Sequence, residues 1–155
     1  MTAEMNTNVK DNYAQTRLAQ AKTKEERIQA YADIRKHFGQ VRGLFRIIHA
    51  KDYGEIQTSR GVAHKFAYLC TPAGKKNNDE GLDNDQFVWM NELIAPKGGS
   101  VQIIEERQQL VQQFAAGKIR SSRVNIVYKV NKRGNAIYRD VHDVRDRNKK
   151  AAANA

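Results

Sequence analysis

The chain has 155 residues and a mass of 17.6 kDa, with 27 Lys and Arg against 17 Asp and Glu, a formal net charge of +10 and a mean hydropathy of −0.75. With 40% apolar residues it has enough for one domain with a modest core, or one domain with arms. A membrane span is excluded because no run nears the roughly 18 apolar residues required, and a disulfide within the chain or an all-thiol zinc cluster is excluded because Cys70 stands alone.

Residues 1–12 are polar and are expected to fray. They lack the basic-then-apolar order of a secretory leader, so a cytoplasmic setting is expected. A short helix is expected around 13–21 and a firmer one over 24–38. Thr23 and Glu26 have capping-box spacing, and Gly39 stands where a left-handed residue ends a helix. Ile28, Tyr31, Ile34 and Phe38 recur at helical spacing. They are expected to pack on the domain, with self-association as the other use of that stripe. Residues 1–40 are read as a helical N-terminal extension.

After Gly43 the period changes from helix to strand. Leu44–His49, Tyr53–Thr58 and Val62–Cys70 are three expected strands. The third sets Val62, His64, Phe66, Tyr68 and Cys70 on one face and Ala63, Lys65, Ala67 and Leu69 on the other. Residues 73–85 carry almost no apolar side chains and read as a long solvated loop. Gln86–Met90 is a further strand. Ser100 is the expected cap of a helix over 101–116, whose stripe is Val101, Ile104, Gln108, Val111 and Ala115, and Gly117 ends it.

The last pattern is a hairpin: 123–130, a turn over Asn131–Asn135, then 136–141. Alternation sends Val124, Ile126, Tyr128 and Val130 inward with Ile137 and Val141. It sends Asn125, Lys129, Ala136, Tyr138 and Asp140 outward. From residue 145 the chain reads as a flexible basic tail.

The charge is uneven. Residues 74–96 have a net charge of −3, and residues 118–150 have +8. A concentrated positive field attracts polyanions, of which nucleic acid is the commonest. Single-strand binding needs cations for phosphates and aromatic faces for bases, and this chain interleaves the two. Tyr68, Trp89, Tyr128 and Tyr138 are the stacking candidates, although alternation turns Tyr128 inward. Arg46, Lys65, Arg120, Arg123, Lys129, Lys132, Arg133 and Arg139 are the phosphate candidates. Phe66 and Phe87 are expected in the core.

Chemistry finds little support. His37, His49, His64 and His142 have no metal-ligand spacing, and neither a phosphate-binding loop nor a dinucleotide fingerprint occurs. Asp140, His142 and Asp143 form only a faint nuclease-like group. Asp79, Asp83 and Asp85 lack the glycine and final glutamate of a calcium loop. Cys70 reads as a small buried residue. No catalysis, cofactor or metal is expected.

The order of helix, three strands, loop, strand, helix and hairpin predicts a mainly β (α+β) fold. It would be a small closed barrel of the OB type over 41–144. Phe87-Val-Trp-Met, the helix 101–116 and the run Val124–Arg139 together resemble the OB-fold single-stranded-DNA-binding proteins of the phage-encoded kind. The likeness covers roughly 43–144 and is one of order and spacing. That family often ends in an acidic tail, whereas this tail is basic, and the helical extension is no part of the minimal barrel. The resemblance implies a non-catalytic protein of DNA replication or recombination in the host-cell cytoplasm. It would bind single-stranded DNA in preference to RNA, with replication proteins or a second copy met through the N-terminal helices. The rival readings are an RNA-binding or ribosome-associated OB domain, and a protein-binding adaptor with a nonspecific basic arm.

Overall fold

The computed structural model describes residues 12–74 and 77–146, the last by its backbone alone. Residues 1–11 and 147–155, with most of the expected tail, lie outside the described residues. The chain divides into two compact units, 1–40 and 41–155.

The first unit is a helical hairpin of α1 (residues 12–20) and α2 (Lys24–His37). The Thr23 hydroxyl accepts from the Glu26 amide at 3.1 Å, and the Glu26 carboxylate accepts from the Lys22 amide at 2.8 Å. The reciprocal bond of the capping box therefore reaches one residue further back than Thr23; such a cap is worth about 1 kcal/mol. At the other end Gly39 adopts φ +69°, and the amides of Gly39 and Gln40 donate to the carbonyls of Lys36 and Arg35. Those are the two bonds of a Schellman ending. Arg17 donates to Asp33 at 2.8 Å, and Tyr13 stacks on His37 at 4.1 Å, which ties α1 to α2. Ile28 and Tyr31 are exposed, against expectation. Ala30 is the buried residue of α2, and Asp33 and His37 meet α1 at helical spacing from it, which leaves positions 28 and 31 outside that stripe.

The second unit contains β1 (Val41–Thr58), β2 (Gly61–Pro72), β3 (Val88–Ile94), α3 (Ser100–Ala115), β4 (Ser122–Arg133) and β5 (Ala136–Asp146). The strands close in the order β1-β2-β3-β5-β4, the small OB-like barrel that the element order predicts, with a helix between the third and fourth strands. All pairings are antiparallel except the parallel contact of β3 with β5, made at Asn91 and Asp140.

Where two strands were expected, β1 is one strand of 18 residues. Register shifts between Ile47 and His49 and between Asp52 and Gly54 bend it, so a single strand serves β4 with its first half and β2 along most of its length. Phe45, Ile47, Phe66, Tyr68, Cys70, Met90, Ile126 and Tyr128 are the largest side chains of the core. Ile104 of α3 is buried against them, with Leu110, Val111 and Phe114 packed beside it, while Val101 and Ile103 stay exposed. Ser100 is the first residue of α3 rather than its cap. Gly99 holds the cap position without a side-chain bond.

The final hairpin departs from strict alternation at its tip. Val124, Ile126 and Tyr128 point inward as expected, but Val130 is 36% and Ile137 50% exposed. β5 pairs with β3 at Asp140 alone, so the chain before it is paired on one side only and forms a two-stranded arm with β4. Both strands also run closer to the turn than expected, leaving only Gly134, at φ +60°, and Asn135 between them. At its other end β5 continues through Asp146, so the strand takes in residues expected in the tail.

The loop after β2 is not the solvated segment its composition suggests. Asn78 and Leu82 are buried. The Asn78 side-chain Oδ1 accepts from the Leu82 amide at 2.6 Å, and its Nδ2 donates to the Leu82 carbonyl at 3.1 Å. The Asp79 amide donates to the Arg42 carbonyl at 2.7 Å. Gly43 permits this docking, because any Cβ there would run into the Phe45 ring and Asn78.

Candidate nucleic-acid interface

Two of the tyrosines that the sequence offers for stacking lie inside the barrel. Tyr68 is fully buried, and its hydroxyl donates to Glu92, which also accepts from Arg107 at 2.9 Å. Burial, and then the Glu92 charge, push the Tyr68 hydroxyl far above its usual range. Tyr128 repeats the pattern: its hydroxyl donates to Glu80 at 2.7 Å, and Arg139 donates to the same carboxylate at 2.6 and 3.0 Å. Burial alone would raise the Glu80 carboxyl. The bonds from Arg139 and Tyr128 outweigh burial and hold it below the ordinary range. Tyr68 as a stacking residue and Arg139 as a phosphate contact are therefore corrected: Tyr68 is spent on the buried Glu92, and Arg139, itself buried, on the half-buried Glu80. Sequence alternation put Tyr68 on the same strand face as Phe66, which was expected in the core, but the two glutamates lie too far away in sequence to reveal the pairing.

Three exposed aromatic rings, Tyr53, Trp89 and Tyr138, stand on the outer face of the barrel and its rim. Opposed residues on neighbouring strands share a face. Leu69 opposes both His49 and Trp89, Ala67 opposes Lys51 and Asn91, and Lys65 opposes Gly54 and Leu93. Each of these three rings has a cation over it. Lys51 Nζ lies 5.0 Å from the Trp89 ring centre, Lys65 Nζ 5.0 Å from that of Tyr53, and the Arg133 guanidinium 6.0 Å from that of Tyr138. Trp89 and Tyr138 are both 41% exposed.

A groove of about 660 Å³ runs between the turn joining β1 to β2 and the arm of β4 and β5. Arg60, Lys65, Leu93, Arg133, Tyr138 and Asp140 contribute to its lining. His142 also lines it, and burial followed by the Lys129 charge hold that imidazole below its ordinary range.

Of the predicted residues, the structure thus gathers Lys65, Trp89, Arg133 and Tyr138 on or beside one surface. Lys129 opposes Asp140 and Lys132 opposes Ile137 on the arm. Arg46 and Arg123 are direct cross-strand neighbours, both exposed, on the outer face of β1 and β4. Arg120 is exposed in the segment between α3 and β4. Lys51, Tyr53 and Arg60 were missed as site residues: the two bulges of β1 shift the alternation around Lys51 and Tyr53, and Arg60 lies in the turn after that strand. Phe87, expected in the core, precedes β3 and is exposed.

Among the described residues no group of three His, Cys, Asp or Glu side chains is placed to hold a metal ion. Cys70 is buried, and burial pushes its thiol above the usual range, which disfavours the reactive thiolate. Among the described residues no helix is long and apolar enough to cross a membrane. The chain matches no protein-family model, no curated protein and no solved structure.

Proposed function

We propose that the protein is a non-catalytic single-stranded nucleic-acid-binding protein, with DNA its ligand. The reading rests on three exposed rings, Tyr53, Trp89 and Tyr138, each with a cation held over it, beside a groove carrying further cations. Bases stack on such rings at roughly 1–3 kcal/mol each, while the cations neutralise the phosphates that follow. Fold-level analogy agrees, since OB barrels take oligonucleotides over this sheet face and between these two turns. The resemblance to phage-encoded proteins suggests a role in replication or recombination.

The test is a fluorescence titration of Trp89 with single-stranded DNA, duplex DNA and RNA of equal length. Quenching by single strands, with affinity falling steeply between low and moderate salt, is the expected result. Equal affinity for duplex would remove stacking from the argument. Tighter binding of RNA would move the protein to the RNA-binding reading, and no binding at all would favour the adaptor.

A further inference from the structure

The groove contains one group that does not suit a phosphate path. Asp140 lines it amid Arg60, Lys65 and Arg133. A carboxylate there repels the phosphates that those cations attract. Its described hydrogen-bond partner is neutral: the Asn131 side-chain amide donates to one of its oxygens. Lys129 opposes it across β4 and β5, and Asn91 opposes it on β3. An ionised carboxylate offers about four acceptor positions, so one bond from Asn131 leaves most of them open.

Position supplies the role. Asp140 lies two residues from Tyr138 on the same strand face, and both line the groove. A base stacked on the Tyr138 ring would direct its edge along that face. We infer that Asp140 makes this subsite selective for guanine. The inference rests on the single-strand reading above. On its Watson–Crick edge guanine presents two adjacent N–H donors, which match the two oxygens of a carboxylate. Adenine and cytosine present one amino group beside a ring nitrogen that is an acceptor. Thymine presents one N–H between two carbonyls, which would face the carboxylate unfavourably. The stacking ring therefore supplies affinity for any base, and Asp140 supplies the preference.

The experiment compares a thymidine oligomer with the same oligomer carrying one central dG, and with one carrying inosine there, using the full chain at fixed salt. A single guanine is expected to tighten binding about tenfold, the scale of one bidentate base contact. Inosine lacks the 2-amino group and should lose most of that gain, and this arm needs no protein variant. Asp140→Asn should erase the guanine preference and tighten binding of the thymidine oligomer, since a repulsive charge has gone. Binding of all three oligomers with equal affinity would overturn guanine selection and leave single-strand binding standing. Failure to bind any of them would overturn both.

Discussion

Two sets of aromatic side chains separate in this molecule by the charge that meets them. Tyr68 and Tyr128 are buried, and each hydroxyl donates to a glutamate that an arginine also holds. Tyr53, Trp89 and Tyr138 are exposed, and each has a cation over its ring face. An anion at the hydroxyl fixes a tyrosine as part of the core, because it satisfies the only polar atom of an otherwise apolar group. A cation over an exposed ring already lies where a phosphate following a stacked base would pass. The sign and position of the partner charge thus separate scaffold from platform, which residue type alone does not.

The largest effect tests the buried set. Tyr128→Ala should destabilise the fold by about 3–5 kcal/mol, the usual loss for a buried aromatic. It should be read as a lowered urea midpoint, with binding per folded molecule retained. A variant of normal stability that binds single strands poorly would place Tyr128 on the platform and invert the comparison.

The arginine that holds Glu80 comes next. Arg139→Ala should cost about 3 kcal/mol, the low end for a broken buried pair, because both partners keep some exposure. The pH dependence follows from the same contact. The folded Glu80 carboxyl lies below its ordinary value, so its contribution is present above the ordinary carboxylate range and is lost as pH falls through the folded value. Acid melts should therefore show stability falling at low pH, and Glu80→Gln should flatten that part of the profile. If Arg139→Ala instead preserved stability and weakened binding, Arg139 would belong with the phosphate contacts.

The barrel was legible in the sequence because its signals are local. Thr23 and Gly39 mark α2, Gly117 marks the end of α3, and Val124, Ile126 and Tyr128 alternate cleanly. What was illegible depends on distant partners or on shifted register. Nothing near Glu80 announces that it reaches Arg139, which lies 59 residues away. Polar residues around Asn78 read as solvent-loving, yet Asn78 bonds the Leu82 backbone and Asp79 the Arg42 backbone, which lets the loop lie on β1. Two bulges in β1 shift its alternation around Lys51 and Tyr53, which escaped notice, and Tyr68 was overvalued because its partner Glu92 lies 24 residues away.

On the platform, Trp89→Ala and Tyr138→Ala should each weaken single-strand binding by about 1–3 kcal/mol, tenfold or more, with the melting temperature little changed. The two variants sharpen the comparison when measured together. Equal losses would mean that bases stack at both places along one path. A loss confined to Tyr138 would reduce the platform to the groove between the arm and the β1–β2 turn. A loss of stability as large as that of Tyr128→Ala would show that exposure had misassigned the ring.

The smallest effect concerns where the phosphates run. Each neutralised phosphate contributes about 0.7 to the slope of log affinity against log salt for single strands. Lys51→Ala should therefore weaken binding modestly and reduce that slope by about one contact, since Lys51 sits over Trp89 on the stacking face. Arg46→Ala and Arg123→Ala provide the contrast. These like charges oppose each other on β1 and β4, an arrangement that disfavours the strand pair unless an anion lies between them. If their removal leaves the slope unchanged while Lys51→Ala lowers it, the strand stays on the Trp89 side. If all three lower it equally, the path continues over the outer face of β1 from Tyr53 to Arg46, and the cations of both patches serve one ligand.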